Sequence, residues 1–219
     1  ENGERIAIFN IRTAEELAGL AKLVRNGNSM KNTMINLVSD VTLNDTTNFD
    51  NWDEQPPANN WTAIGAVPIE APNVNVVMTI QPECRNTVFA GMFNGNGHTI
   101  SGMYSLHHNY AGLFARTSGI ITNVIVKDSY IQCINTQKVE SGDTALWEAC
   151  AGGITAICDR GVISHCEFDG KIFASGLNQV GYGTHGSFAG GIVGKFSDDE
   201  NGVAAVVMMF ALVPAGFLI

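Results

Sequence analysis

The chain has 219 residues, 45% of them hydrophobic and only 15% charged, with 24 glycines and a net charge of −9. That apolar content excludes a disordered chain, and the length allows one sizeable domain, or one domain with an appendage. With no basic surplus to displace counterions from a phosphate backbone, nucleic acid is not expected as a partner.

The first residues, "ENGERIAIF", carry no signal-peptide pattern and read as a fragment boundary. "RTAEELAGLAKLVRNG" (Arg12 to Gly27) predicts a helix: Thr13 can cap it, Glu16 completes a capping box, and Gly27 ends it. Leu17, Leu20, Ala21 and Val24 follow helical spacing and give it one apolar face. "TMINLVSDVTLND" predicts two short strands around a turn at Ser39-Asp40. The stretch from Asn44 to Pro72 reads as loop, and "NVNVVMTI" and "NTVFAGMFNG" as strands.

In "FNGNGHTISG" (Phe93 to Gly102), Asn94-Gly95 and Asn96-Gly97 tolerate φ > 0 and suit a sharp corner between strands. A dinucleotide site would need a helix after the glycines, whereas His98-Thr99-Ile100 continue as strand.

The second half repeats itself. "AGLFARTSGIITNVIVKDSYI" from Ala111 overlays "AGGITAICDRGVISHCEFDGKI" from Ala151, and "AGGIVGKF" opens again at Ala189, a period of ~40 residues. The overlay matches Gly119 with Gly161, Ile121 with Ile163, Val124 with Cys166 and Val126 with Phe168. It places these inward and puts Asn123 and His165 at a corner. Such self-similarity marks a solenoid, and short strands with Gly and Asn corners fit β-coils better than helical repeats.

Few motifs carry chemistry. "AGGIVGKFS" misses the P-loop spacing and has Phe196 where a hydroxyl should hold magnesium. The five cysteines, Cys84, Cys133, Cys150, Cys158 and Cys166, contain no C-x-x-C pair, and the last three run in steps of eight residues, unlike a zinc site. Because Cys166 overlays Val124 it is expected to be buried and inert. His98, His107-His108, His165 and His185 form no recognised metal or catalytic set. The acids are scattered: Asp128 overlays Asp169 only loosely, where glycoside hydrolysis needs two facing carboxylates. No catalytic residue, metal ligand or cofactor is expected. Trp52 and Trp147, in loop-like surroundings, are candidate carbohydrate-stacking residues, while Trp61 reads as packing.

Taken in order, "TAEELAGLAKLVRNG", "LVSDVTLN", "NWTAIG", "FAGMFNGNGHTISGM", "AGLFARTSGIITNVIV" and "GGIVG" resemble the GLUG-motif repeat proteins, from about Thr13 to Phe196. Ala115 and Ala156 depart from that pattern, standing where the repeat's last glycine is expected. Members occur on or are secreted from bacterial cells, some as segments of larger surface proteins including IgA-protease-type peptidases. The resemblance implies an all-β, right-handed parallel β-helix, for which the amphipathic helix near 13–25 would be the N-terminal cap. It implies a non-catalytic structural or adhesive module outside the cell, with a host or bacterial surface glycan or protein as partner. The rival expectation is a carbohydrate-active enzyme, a polysaccharide lyase or glycoside hydrolase.

On this reading residues 1–202 form the β-helix domain, and 203–219 are a separate apolar segment without a charged side chain. Two expectations stand for that segment: apolar strands added to the final coil, or a truncated membrane helix, the only part of the chain that would meet a membrane.

Overall fold

The computed structural model describes residues 6–66, 88–135, 148–176, 186–197 and 207–208. Among these the chain is mostly β, with one α-helix, α1 (Ala14–Arg25), and a 3-10 turn at Phe49–Asn51.

The helix forms for local reasons. Thr13 is extended, and its Oγ1 accepts the Glu16 N–H at 3.2 Å, while the Glu16 carboxylate reaches back to the Arg12 N–H at 2.5 Å. Glu15 and Glu16 sit in the first turn and Lys22 and Arg25 in the last, each favourable to the helix dipole. Leu17, Leu20, Ala21 and Val24 are buried together with Ile11, Ile35 and Leu37 in the main core. Each large side chain so buried contributes about 1.5–3 kcal/mol.

Every named strand pairing is parallel. The first sheet runs β1 (Ala7–Ile11), β2 (Thr33–Leu37), β4 (Met92–Asn94), β9 (Ile120–Thr122), β13 (Val162–Ser164), β17 (Val207–Met208). Its register sets Ile35, Phe93, Ile121 and Ile163 in one inward row, all 1% exposed or less. One residue along, Asn36, Asn94, Thr122 and Ser164 form a polar row, as the two-residue period of a strand requires. Phe9 belongs to the inward row but is 57% exposed, because no strand lies beyond β1 among the described residues.

The second sheet runs β14 (Glu167–Gly176), β10 (Ile125–Asn135), β5 (Thr99–Ser101), β3 (Val41–Thr42), and β6 (Tyr104–His107) also pairs with β10. The third comprises β15 (Ser187–Gly190), β11 (Ala149–Gly152) and β7 (Tyr110–Ala111); the fourth, β16 (Val193–Ser197), β12 (Thr155–Asp159) and β8 (Phe114–Thr117). Ala111 faces Ala151, which faces Ala189, and Ile121 faces Ile163, so these Cα partners fall where the self-overlay put them. Asn123 and His165 both hold φ of +54°, at the corner between the first and second sheets.

This arrangement corrects the expected right-handed parallel β-helix. Four small parallel sheets of unequal size stand in place of one continuous solenoid, and among the described residues the two three-stranded sheets take no named strand from before Tyr110, only isolated bridges from Ile64 and Phe89 to β8. The physical reason lies in 44–66. There Asn and Asp side chains hydrogen-bond backbone groups that a strand would otherwise use, and the chain forms a loop with only an isolated bridge at Ile64. The structure also adds β1, in a stretch the sequence marked only as a boundary. The strand expected in "NVNVVMTI" lies outside the described residues, as does all of 203–219 except the β17 backbone.

The "FNGNGHTISG" corner is a turn. The Asn94 carboxamide oxygen accepts the Asn96 N–H at 3.0 Å, and Asn96 and Gly97 take φ of +51° and +76°. A Cβ on Gly95 would strike the Asn123 carbonyl, so the glycine there permits close stacking of two corners.

Leu20→Asp places a carboxylate among Leu17, Val24 and the first-sheet core. It should lower Tm sharply in a calorimetric melt, and Leu20→Ala should cost about 2–5 kcal/mol. An unchanged melt in both would show that this face carries no packing.

Candidate functional site

The most built-up surface feature is the loop from Asn44 to Asn60, which lies against the second sheet. Asn44 anchors it: its Nδ2 donates to the Asn59 and Gly102 carbonyls, both at 2.9 Å, and its Oδ1 accepts the Asn59 N–H at 3.3 Å. Gly102 makes that approach possible, with φ of +70° and a position where a Cβ would meet the Asn44 carbonyl. At the far end the Asn60 carboxamide imitates a neighbouring strand, accepting the Leu106 N–H at 2.8 Å and donating to the Leu106 carbonyl at 3.2 Å.

Inside the loop the polar side chains hold one another. Asp45 Oδ1 accepts both the Thr47 hydroxyl, at 2.5 Å, and its N–H, at 2.9 Å. The Thr47 hydroxyl and then its N–H hold the Asp45 carboxyl below its ordinary pKa. Asn51 donates to Asn48 at 2.6 Å, and Asn48 donates to Gln55 at 3.3 Å.

Under the loop stands a column of rings. Trp52 meets Phe49 edge-on at 5.4 Å and Tyr104 edge-on at 6.1 Å. Tyr104 stacks on Tyr130 at 5.6 Å, and Tyr130 touches Phe173 at 5.4 Å. Lys171 ties the far strand to the loop, donating to the Asp50 carbonyl at 2.6 Å with its ammonium 5.5 Å from the Phe49 ring centre. Burial raises the pKa of the Tyr104 and Tyr130 hydroxyls, and for Tyr130 the Asp53 carboxylate and Tyr104 add to the effect.

The loop encloses an open cleft of about 350 Å³, lined by Asn44, Asp45, Thr47, Asn48, Trp52, Gln55, Pro57 and Ala58. Its walls offer amide donors and acceptors, a hydroxyl, one carboxylate and a small apolar patch. That set matches a neutral polyhydroxylated ligand, with alternating hydroxyls and C–H faces, better than an ion or a flat apolar molecule.

The sequence candidates fare unequally. Trp52 is not an exposed stacking platform: it is 2% exposed, because the loop folds it onto Tyr104, so it can only close the floor of the cleft. Trp147 lies outside the described residues, as do Cys84 and His185. Trp61 is buried in the main core. His98 is 3.2 Å from Asp40, and His107 Nδ1 accepts the N–H groups of Asn109 and Tyr110, both at 3.1 Å, which requires that nitrogen to be unprotonated. Asp128 and Asp169 fall in the β10–β14 register shift, Asp128 with φ of +46°, and do not form a facing pair.

Cys133, Cys150 and Cys158 are buried. Burial pushes the Cys133 and Cys150 thiols up to about 12 and Cys158 to about 11. Cys166 corrects its expectation in part: its partner in the overlay, Val124, is fully buried, but Cys166 is only half-buried, with burial still raising its thiol to about 11. Among the described residues no group of three His, Cys, Asp or Glu side chains is placed to hold a metal ion.

Sequence reasoning missed two part-buried ion pairs beside the fourth sheet. Lys195 grips Glu148 at 2.5 and 2.6 Å with its ammonium 5.0 Å from the Phe188 ring centre, and Arg116 binds Asp159 at 2.5 Å. Arg116, Ile157 and Lys195 share one row across β8, β12 and β16. The partners are separated by more than 40 residues, so only sheet register brings them together; the overlay aligned the backbone but gave no sign of charge pairing.

No protein-family model, curated protein or solved structure matches the chain. Among the described residues, no helix is long and apolar enough to cross a membrane.

Two measurements test this geometry. Asn44→Ala removes three hydrogen bonds and should destabilise the loop by about 1–3 kcal/mol, read as a lower Tm and faster hydrogen exchange confined to 44–60. Cys133, Cys150 and Cys158 should react with a thiol reagent at pH 8 only after unfolding, since both access and thiolate are suppressed. Rapid native labelling of any of them would contradict its burial.

Proposed function

We propose that the chain is a non-catalytic structural or adhesive module of a bacterial cell-surface or secreted protein, and that its partner is a surface glycan taken in the cleft beside Trp52. The observation that carries this reading is the lining of the cleft, amides and a hydroxyl with a single ionisable side chain, Asp45. Hydrolysis of a glycoside uses two carboxyl groups, one kept protonated as an acid. Asp45 is shifted the other way, toward the carboxylate, by its bonds from Thr47. A lone carboxylate among amides suits recognition of hydroxyl groups, since a charged acceptor forms the stronger hydrogen bonds.

The resemblance to GLUG-motif proteins supports the extracellular setting, and it rests on the quoted motifs. The net charge of −9 argues for a neutral rather than an acidic glycan, because an anionic chain would be repelled.

A panel of neutral and acidic oligosaccharides tests the reading by direct binding, with reducing ends and unsaturated sugars assayed in parallel. Binding of neutral glycans without turnover is expected. Asp45→Asn keeps the acceptor for Thr47 but removes the charge, and should weaken binding by roughly tenfold with only a small fall in Tm, since the Thr47 bonds lose their charged acceptor. Release of sugar products would overturn the non-catalytic assignment, and absence of binding would remove the glycan from it.

A further inference from the structure

The outward face of the first sheet takes no part in the core or in the cleft. Parallel sheets are ordinarily covered on both faces, and their strands then run apolar throughout. This face is ordered in two rows instead. In unbroken register Ile8, Met34, Met92, Ile120 and Val162 form one row across five strands, each a large apolar side chain. Ile8, Ile120 and Val162 are 63%, 37% and 42% exposed, and the two methionines are half-buried. Two residues further along each strand stands the polar row, Asn10, Asn36, Asn94, Thr122 and Ser164. Its side chains hold one another in place. The Asn36 amide donates to Asn10 at 3.5 Å and the Ser164 hydroxyl to Thr122 at 3.1 Å, while Asn94 accepts the Asn123 amide at 3.1 Å. None of the ten side chains is ionisable, in a chain of net charge −9.

An exposed apolar row of this length marks a binding surface, and its shape selects the occupant. At about 4.8 Å per strand the rows are about 19 Å long, and they lie about 7 Å apart. Ten side chains in two files fall short of the roughly 20–30 residues that a stable protein interface uses on each side, so a second copy fits poorly. An extended peptide adds to a strand edge, where its N–H and C=O groups find partners, and this face offers side chains only. A linear polysaccharide meets both rows at once. The C–H faces of its sugar rings lie on the apolar row, and its hydroxyls reach the amides and hydroxyls of the other. With no charge on the face, an ionic polymer would find no counter-charge there, and an acidic one would be repelled by the rest of the chain. We propose that the outward face of β1, β2, β4, β9 and β13 binds an uncharged linear polysaccharide laid across the strands, as a surface separate from the cleft beside Trp52.

Co-sedimentation tests this. The full chain should sediment with particles of an uncharged polysaccharide, cellulose or chitin, and not with an acidic polyuronate gel. Ile120→Ser with Val162→Ser should weaken that binding by at least roughly tenfold, through loss of apolar contact. Thr122→Val with Ser164→Ala should weaken it several-fold through loss of hydroxyl partners. Both pairs lie outside the core, so the melts should change little. Asp45→Asn, in the cleft, should leave sedimentation unchanged, which separates failure of this surface from failure of the cleft. No sedimentation of the unaltered chain, equal sedimentation of the Ile120 and Val162 pair, or equal binding to polyuronate would overturn the proposal. A dimer in solution that the same pair dissociates would overturn it too, and would give the face to a second copy.

Discussion

The structure depends on one constraint: parallel strands held in a register that sets like side chains over like. In the first sheet this puts Ile35, Phe93, Ile121 and Ile163 in a single dry row. The row packs within the main core, against the apolar face of α1 and against Phe114, whose ring centre lies 5.4 Å from that of Phe93. Corners that permit this spacing, at Asn96-Gly97, Asn123 and His165, follow from residues that tolerate a left-handed backbone. A one-residue slip would turn every inward side chain outward, so the rows and corners specify one another.

Charge is arranged by the same rule. Lys195 and Glu148, like Arg116 and Asp159, are part-buried and satisfied only because strands distant in sequence are adjacent in the sheet. Such pairs add little net stability once desolvation is counted, but removing either partner strands the other. They join β8 to β12, through Arg116 and Asp159, and β16 to the residue before β11, through Lys195 and Glu148.

The loop from Asn44 to Asn60 is where the chain leaves this rule. Its backbone is satisfied by carboxamides in place of strand partners, and its aromatic residues pack onto Tyr104 and Tyr130. Side-chain bonding of this kind frees the loop from strand geometry and lets it enclose a cleft on a rigid base. The proposed binding role would place recognition on this loop and stability in the sheets.

The sequence by itself determined the local devices. Thr13 and Glu16 specified the start of α1, spacing specified its buried face, and the overlay of Ala111, Ala151 and Ala189 specified which backbones lie side by side. These are readable because capping, periodicity and repetition act between near neighbours or identical patterns. Tertiary structure alone decided the rest. It divided the strands into four unequal sheets, because side-chain bonds diverted 44–66 into a loop. It buried Trp52, because the loop folds the ring onto Tyr104, and it left Cys166 half-open while burying Val124, because equivalent positions differ in how many layers cover them. Burial depends on what lies above a residue in space, and no pattern along the chain records that.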